Sequence, residues 1–151
     1  AQGGVGQMKI TTRGRYAVMA LVSLASSSRG NPVSLKGIAS QEEIPEAYLQ
    51  QLFVRLRRRN LVKSIRGPGG GFVLARHPSR ITIGEIIRTA EGADRTIGCR
   101  RSGRKCGMIE KCKTQEMWDA LESRMEEFLD SISIQDLFEG KVYEARREVG
   151  A

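Results

Sequence analysis

The sequence predicts a mostly α-helical fold with a small β-hairpin wing: a winged helix-turn-helix followed by a long C-terminal dimerisation helix. Three observations predict it. Residues 45–60 carry one apolar stripe with a basic opposite face, directly after a turn marked by Pro45. Two strand-like runs flank a loop at residues 67–71 that holds four glycines and Pro68. An apolar series spaced 3, 4, 3, 4 runs through Trp118, Leu121, Met125, Phe128 and Ile132.

Met8 reads as a natural start, and residues 1–7 are set aside as a cloning remnant. The first helix is expected over residues 15–28, rich in small and apolar side chains (Tyr16, Ala17, Met19, Ala20, Leu21, Leu24), and Gly30, Asn31 and Pro32 stop it. A short second helix follows at residues 34–42 with Leu35, Ile38 and Ala39 inward. Pro45 opens the third, because the N–H that proline lacks would be unpaired at that position anyway.

In this third helix Leu49, Leu52, Phe53 and Leu56 fall at i, i+3, i+4 and i+7 and face a core. Gln51, Arg55 and Arg58 are expected on the opposite side, with Tyr48 and Arg59 on the flank. Hydrogen-bonding tips and cations on that face suit base edges and phosphates in a major groove. The runs at 61–66 and 72–76 form the hairpin, and its loop brings Arg66 and Gly67 close to another surface. A phosphate-cradling nucleotide loop is the competing idea, but no Gly-Lys-Ser/Thr ending follows the glycines.

Thr82 and Glu85 bracket a capping box that opens a helix with Ile83, Ile86, Ile87 and Ala90 in register. Residues 92–113 have little periodicity and are expected to be loop, and a long helix resumes at Thr114. Its apolar seam is of the kind that packs on another helix, here expected to be its twin in a homodimer. Ser133 caps a last short piece ending at Phe138. The organisation expected is thus a DNA-binding unit over 8–80, a linking helix and cysteine loop over 81–113, a dimerisation helix over 114–138 and a charged tail over 139–151.

Charge separates these parts. The 151 residues carry a net charge of +8, but residues 8–80 hold 13 basic against 3 acidic side chains, and residues 81–151 hold 12 against 14. A polyanionic partner therefore belongs to the N-terminal half, and double-stranded DNA fits its helix and wing. No stretch approaches the ~18 apolar residues of a membrane span, and no signal-peptide pattern opens the chain, so a soluble cytoplasmic protein is expected. No nucleophile–base constellation supports an enzyme.

Three cysteines, Cys99, Cys106 and Cys112, cluster within 14 positions. An odd, clustered set does not build a disulfide scaffold; metal, iron-sulfur or redox thiol chemistry remains. Between Arg95 and Lys113 stand seven basic residues and one acid, Glu110. Such surroundings lower thiol pKa and favour an anionic thiolate-ligated cluster, and they activate free thiols toward oxidants equally.

With these residues in view, the chain resembles the IscR/NsrR-type family of iron-sulfur transcription regulators, most closely its IscR branch. The matching runs are Thr11-Thr12-Arg13-Gly14-Arg15-Tyr16-Ala17-Val18, Tyr48-Leu49-Gln50-Gln51-Leu52-Phe53-Val54-Arg55-Leu56-Arg57, Arg66-Gly67-Pro68-Gly69-Gly70-Gly71-Phe72 and the cysteine triplet followed by Trp118. The resemblance implies a homodimer with crossed C-terminal helices and a cluster, 2Fe-2S by analogy, that controls operator choice. It places Tyr48, Gln51 and Arg66 at DNA-contacting positions and Gln50 where the IscR branch carries a modulatory glutamate. It also puts Gln115 where that branch has a histidine ligand. The fourth ligand is accordingly sought among Gln115, Asp94, Glu110, Glu116, water, a small thiol or a partner group. The carboxylate that NsrR-like relatives supply from the first helix is matched here by Arg15. His77, the only histidine, is expected to flank a helix. Besides cluster sensing, two other readings stand: a regulator answering to thiol oxidation or a small ligand, and an iron-sulfur carrier or enzyme acting on RNA.

Overall fold

A computed structural model describes residues 10–28, 30–92 and 114–142. The element order is α1 (Thr12–Ser28), α2 (Leu35–Glu42), α3 (Glu46–Arg58), β1 (Val62–Ile65), β2 (Gly71–Leu74), a 3-10 turn (Pro78–Arg80), α4 (Ile83–Glu91), α5 (Gln115–Asp130) and α6 (Ile134–Phe138). The helices and the hairpin match the expected class. None of the described helices is long and apolar enough to cross a membrane.

Helix α1 begins three residues earlier than its composition suggested. Its first turn is capped from far away: the Glu91 carboxylate accepts from the Thr11 amide at 2.8 Å, the Gly14 amide at 3.1 Å and the Thr11 hydroxyl. A carboxylate there satisfies amides that have no partner within the helix and complements the helix dipole. Gly14 leaves room for it, since a Cβ would lie 3.1 Å from the Glu91 oxygen. Ala17, Ala20, Leu21 and Leu24 then bury one face of α1.

Ser34 caps α2, accepting from the Gly37 amide at 3.0 Å. Glu43 turns the chain with φ 55, and Pro45 precedes α3. The stripe Leu49, Leu52, Phe53 and Leu56 is buried as its spacing predicted. Strands β1 and β2 pair antiparallel, with Val62 opposite Leu74 and Ile65 opposite Gly71. A third rung ties this hairpin to the start of α2: the Phe72 amide donates to the Val33 carbonyl at 2.8 Å, and the Val33 amide returns the bond at 2.9 Å. Gly71 permits that approach, because a Cβ would sit 2.4 Å from the Val33 carbonyl oxygen. At the loop tip Gly67 and Gly69 adopt φ 106 and 73, a conformation glycine reaches without steric cost.

The expected capping box on α4 is half formed. Thr82 accepts from the Glu85 amide at 3.2 Å, but the Glu85 carboxylate turns away to meet Arg76 at 2.6 Å. The sequence could not show this, because Arg76 arrives from beyond the wing. Ile83, Ile86, Ile87 and Ala90 are buried. Completing the core, Ile81 and Ile83 pair by backbone with Ile134 and Ile132, through the Ile134 amide to Ile81 at 3.0 Å and the Ile83 amide to Ile132 at 2.9 Å. Ile132 thereby leaves the predicted dimer seam. The helix ends at Asp130, and Ile132, 4% exposed, belongs to this subunit's own core. The capped piece after it forms as expected, Ser133 and Asp136 making a reciprocal capping box.

The C-terminal end of α5 rests on α4. Asp130 meets Arg88 in a two-pronged pair at 2.8 and 3.2 Å, and this hydrogen bond raises the Arg88 pKa from its ordinary value. Asp130 lies over Gly84, where a Cβ would come within 2.1 Å of its carboxylate. Both partners of the pair are half exposed, so the pair adds little stability, and the missing Cβ sets the approach.

Candidate nucleic-acid interface and the cysteine segment

The polar face of α3 is open to solvent. With 3.6 residues per turn, Ala47, Gln51, Val54 and Arg58 run along the crest opposite the buried stripe, and all four are exposed. Gln50 and Arg57 are exposed on one flank. On the other flank stands Tyr48, half buried, its ring edge-on to Tyr16 with centroids 5.5 Å apart. This contact sets the start of α3 against α1.

Arg55 is exposed on the Tyr48 side of the outer face, and it is also tied within the subunit. Its guanidinium donates to the Ala90 carbonyl at 2.7 Å, at the C-terminal end of α4. The last carbonyls of a helix lack partners within it and carry the negative end of the dipole, so a cation is favoured there. Helical spacing gives the face but not this neighbour: α4 meets α3 on that flank.

Arg66, next after β1, and Gly67 in the wing loop are both exposed. Beside them lies a recess of about 370 Å³ lined by Arg57, Asn60, Val62, Lys63, Ser64, Ile65 and Arg66. Three of those side chains are cations, and Arg57 and Lys63 were not among the predicted contacts. Their signal in the sequence was present but weak: a lysine in the exposed strand and an arginine one position off the crest.

Cys99, Cys106, Cys112, Asp94 and Glu110 lie outside the described residues. The segment that holds them leaves α4 at Gly92, whose φ is 90, and returns at Thr114. Gln115 and Glu116 occupy the first turn of α5, and the Gln115 amide nitrogen donates to the Asp119 carboxylate at 2.8 Å. Among the described residues no group of three or more His, Cys, Asp or Glu could hold a metal ion. His77 serves where it was expected: its Nδ1 accepts from the Ser79 amide at 3.3 Å and caps the 3-10 turn. Arg15 is exposed on α1.

Along α5 no residue is buried. Leu121 and Phe128 are 49% and 37% exposed, while Trp118 and Met125 are half covered. A 16-residue helix with an apolar seam and no buried side chain is unusual in a single subunit.

An exposed polar recognition helix, a glycine-tipped wing and a basic recess between them define a winged-helix transcription regulator, and the comparisons with known proteins agree. A family profile described as Rrf2, iron-dependent transcriptional regulator, matches residues 10–140. The chain belongs to the Rrf2 family. The HTH-type transcriptional regulator IscR of Escherichia coli is 39% identical over 130 residues, covering 86% of this chain and 80% of that one. Among solved structures, T. potens IscR shares 38% identity with a TM-score of 0.71, covering 88% of each chain. CymR, named the global cysteine regulator of B. subtilis, shares 38% identity with a TM-score of 0.73, covering 87% of this chain and 96% of that one. These relatives are regulators, not enzymes.

Proposed function

We propose that this chain is an iron-sulfur-sensing, sequence-specific DNA-binding regulator that acts as a homodimer in the cytoplasm. The observation that carries the sensing part is the position of the cysteine segment. It is continuous with the end of α4, where Ala90 holds Arg55 of the recognition helix and Glu91 holds the first turn of α1.

In this reading Gln51, Arg58 and Tyr48 address the major groove, Arg66 and Gly67 address the backbone or minor groove through the wing, and Gln50 modulates site choice. Three thiols in a basic segment are a donor set that suits an iron-sulfur cluster, 2Fe-2S by likeness to IscR, with Cys99, Cys106 and Cys112 as ligands. The fourth ligand is to be sought among Gln115, Asp94, Glu110, Glu116, water, a small thiol and a group of a second copy. When bound, such a group supplies anionic charge and a fixed geometry to the segment. Through Gly92 such a constraint would reach Ala90, which holds Arg55, and Glu91, which holds Thr11 and Gly14, and would so bias how α3 sits against α1. Trp118, Leu121, Met125 and Phe128 pair with the same residues of a second copy, which covers the seam that one subunit leaves open.

The test is anaerobic purification with iron and sulfide analysis, visible absorbance and footprinting before and after chelation. About stoichiometric iron with a shifted footprint is expected. A colourless, iron-free preparation that binds its operator with unchanged pattern overturns cluster sensing. Similarity to CymR favours a second reading, in which the same fold answers to thiol oxidation or a small ligand. A footprint that follows oxidant or ligand and not iron would select it.

A further inference from the structure

On α3 a valine stands in the middle of a polar face. Val54 is 51% exposed, while Leu49, Leu52, Phe53 and Leu56 of the same helix are essentially covered. A β-branched residue at an exposed helical position is mildly unfavourable for the helix, so neither folding nor packing accounts for it. Its neighbours on the crest are Gln51, one turn before, and Arg58, one turn after, with Ala47 beyond Gln51. The patch is one side chain wide and flanked by Arg57 and Arg58, too small and too cationic for a protein partner.

We propose that Val54 reads the 5-methyl group of a thymine in the operator, beside a base pair read by Gln51. This rests on the DNA-binding reading above and deepens it. In the major groove thymine alone presents an apolar group, whereas every other base edge offers donors or acceptors. A valine pressed against such an edge would desolvate polar atoms without pairing them, an unfavourable contact. Against thymine its γ-methyls bury another methyl. Gln51 suits an adenine, whose N6 and N7 pair with a side-chain amide. Along the helix axis Gln51 and Val54 are separated by about 4.5 Å, against a base step of about 3.4 Å. The two residues therefore address the same or adjacent base pairs, and Ala47 offers a smaller methyl contact further along. The half-site should hold an A·T pair with a thymine methyl within one step of it.

The experiment begins by selecting an operator from a random duplex pool with the full chain. Each thymine of the enriched duplex is then replaced by deoxyuridine, which removes only the 5-methyl group, and binding is measured at fixed salt. Wild-type protein should bind about fourfold more weakly at one position per half-site, the loss expected for one buried methyl. Val54→Ala should lose that discrimination while still bound by the other contacts. Indifference of the wild-type protein to every deoxyuridine overturns the assignment and needs no variant. An equal loss in Val54→Ala, or in Val54→Ser should the first variant fold poorly, overturns it too. A pool that enriches no duplex overturns the DNA-binding reading itself, which distinguishes the two failures.

Discussion

The Arg55 guanidinium donates to the Ala90 carbonyl at 2.7 Å, joining the recognition helix to the last turn of α4 two residues before the chain leaves for its cysteines. One residue on, Glu91 holds the first turn of α1 through Thr11 and Gly14. Both helices that orient the DNA-facing surface thus meet at the base of the same segment.

Replacing Arg55 by Met keeps the aliphatic stem and removes the donor. The Ala90 carbonyl loses its partner, and a fall in stability of about 1 kcal/mol is expected, read by thermal melting. Because the guanidinium is engaged inside the subunit, the salt dependence of DNA binding should stay unchanged. A phosphate-contacting arginine would instead lower the log–log slope by about one. The response of operator affinity to loading of the cysteines should shrink.

Gln51→Ala and Arg66→Ala should each weaken operator binding by about 1–3 kcal/mol. Gln51→Ala should also relax preference at its base pair, whereas loss of a wing cation should weaken binding across sequences. Competition assays against mismatched duplexes separate the two. Unaltered affinity in both variants would count against the interface.

At Gly71 an alanine Cβ would meet the Val33 carbonyl oxygen at 2.4 Å. Backbone stands on both sides, so neither can turn aside, and overpacking of this kind costs about 1–3 kcal/mol. Gly71→Ala should lower the melting temperature and weaken DNA binding together.

Leu121→Glu and Phe128→Glu should dissociate the proposed dimer without unfolding the subunit, as seen by sedimentation velocity. Ile132→Ala should do the opposite. Its side chain is 4% exposed beside Ile134 in the subunit core, and the cavity left there costs about 2–5 kcal/mol of stability with the oligomeric state retained. A variant at Ile132 that dissociates and stays folded would return that residue to the seam.

Local patterns made most of the architecture legible. The stripe on α3, the Ser133 cap, the wing glycines and the isoleucines of α4 each declare themselves within a few residues. What escaped depends on partners distant in sequence. Helix α1 starts early because Glu91, about 80 residues away, caps it. Glu85 abandons its capping box for Arg76. Ile132 keeps the 3, 4, 3, 4 spacing although the helix has ended at Asp130, since periodicity cannot sense that the next residues form a bridge to Thr82. On the interface, the exposure of Gln51, Arg55 and Arg58 was legible from facing, but the bond from Arg55 to Ala90 was not, because only the approach of α4 to α3 supplies that partner.

The paired bonds between Val33 and Phe72 make wing and helix pair one solid body. A body of this kind has a set distance between what its helix touches and what its wing touches, and no hinge with which to alter it. In the proposed dimer, operators that differ in spacing would then be told apart by how two such bodies are held relative to each other. Mutations that change spacing preference are accordingly to be sought in α5 and at its junction with α4 over Gly84, and mutations that change base preference on the crest of α3.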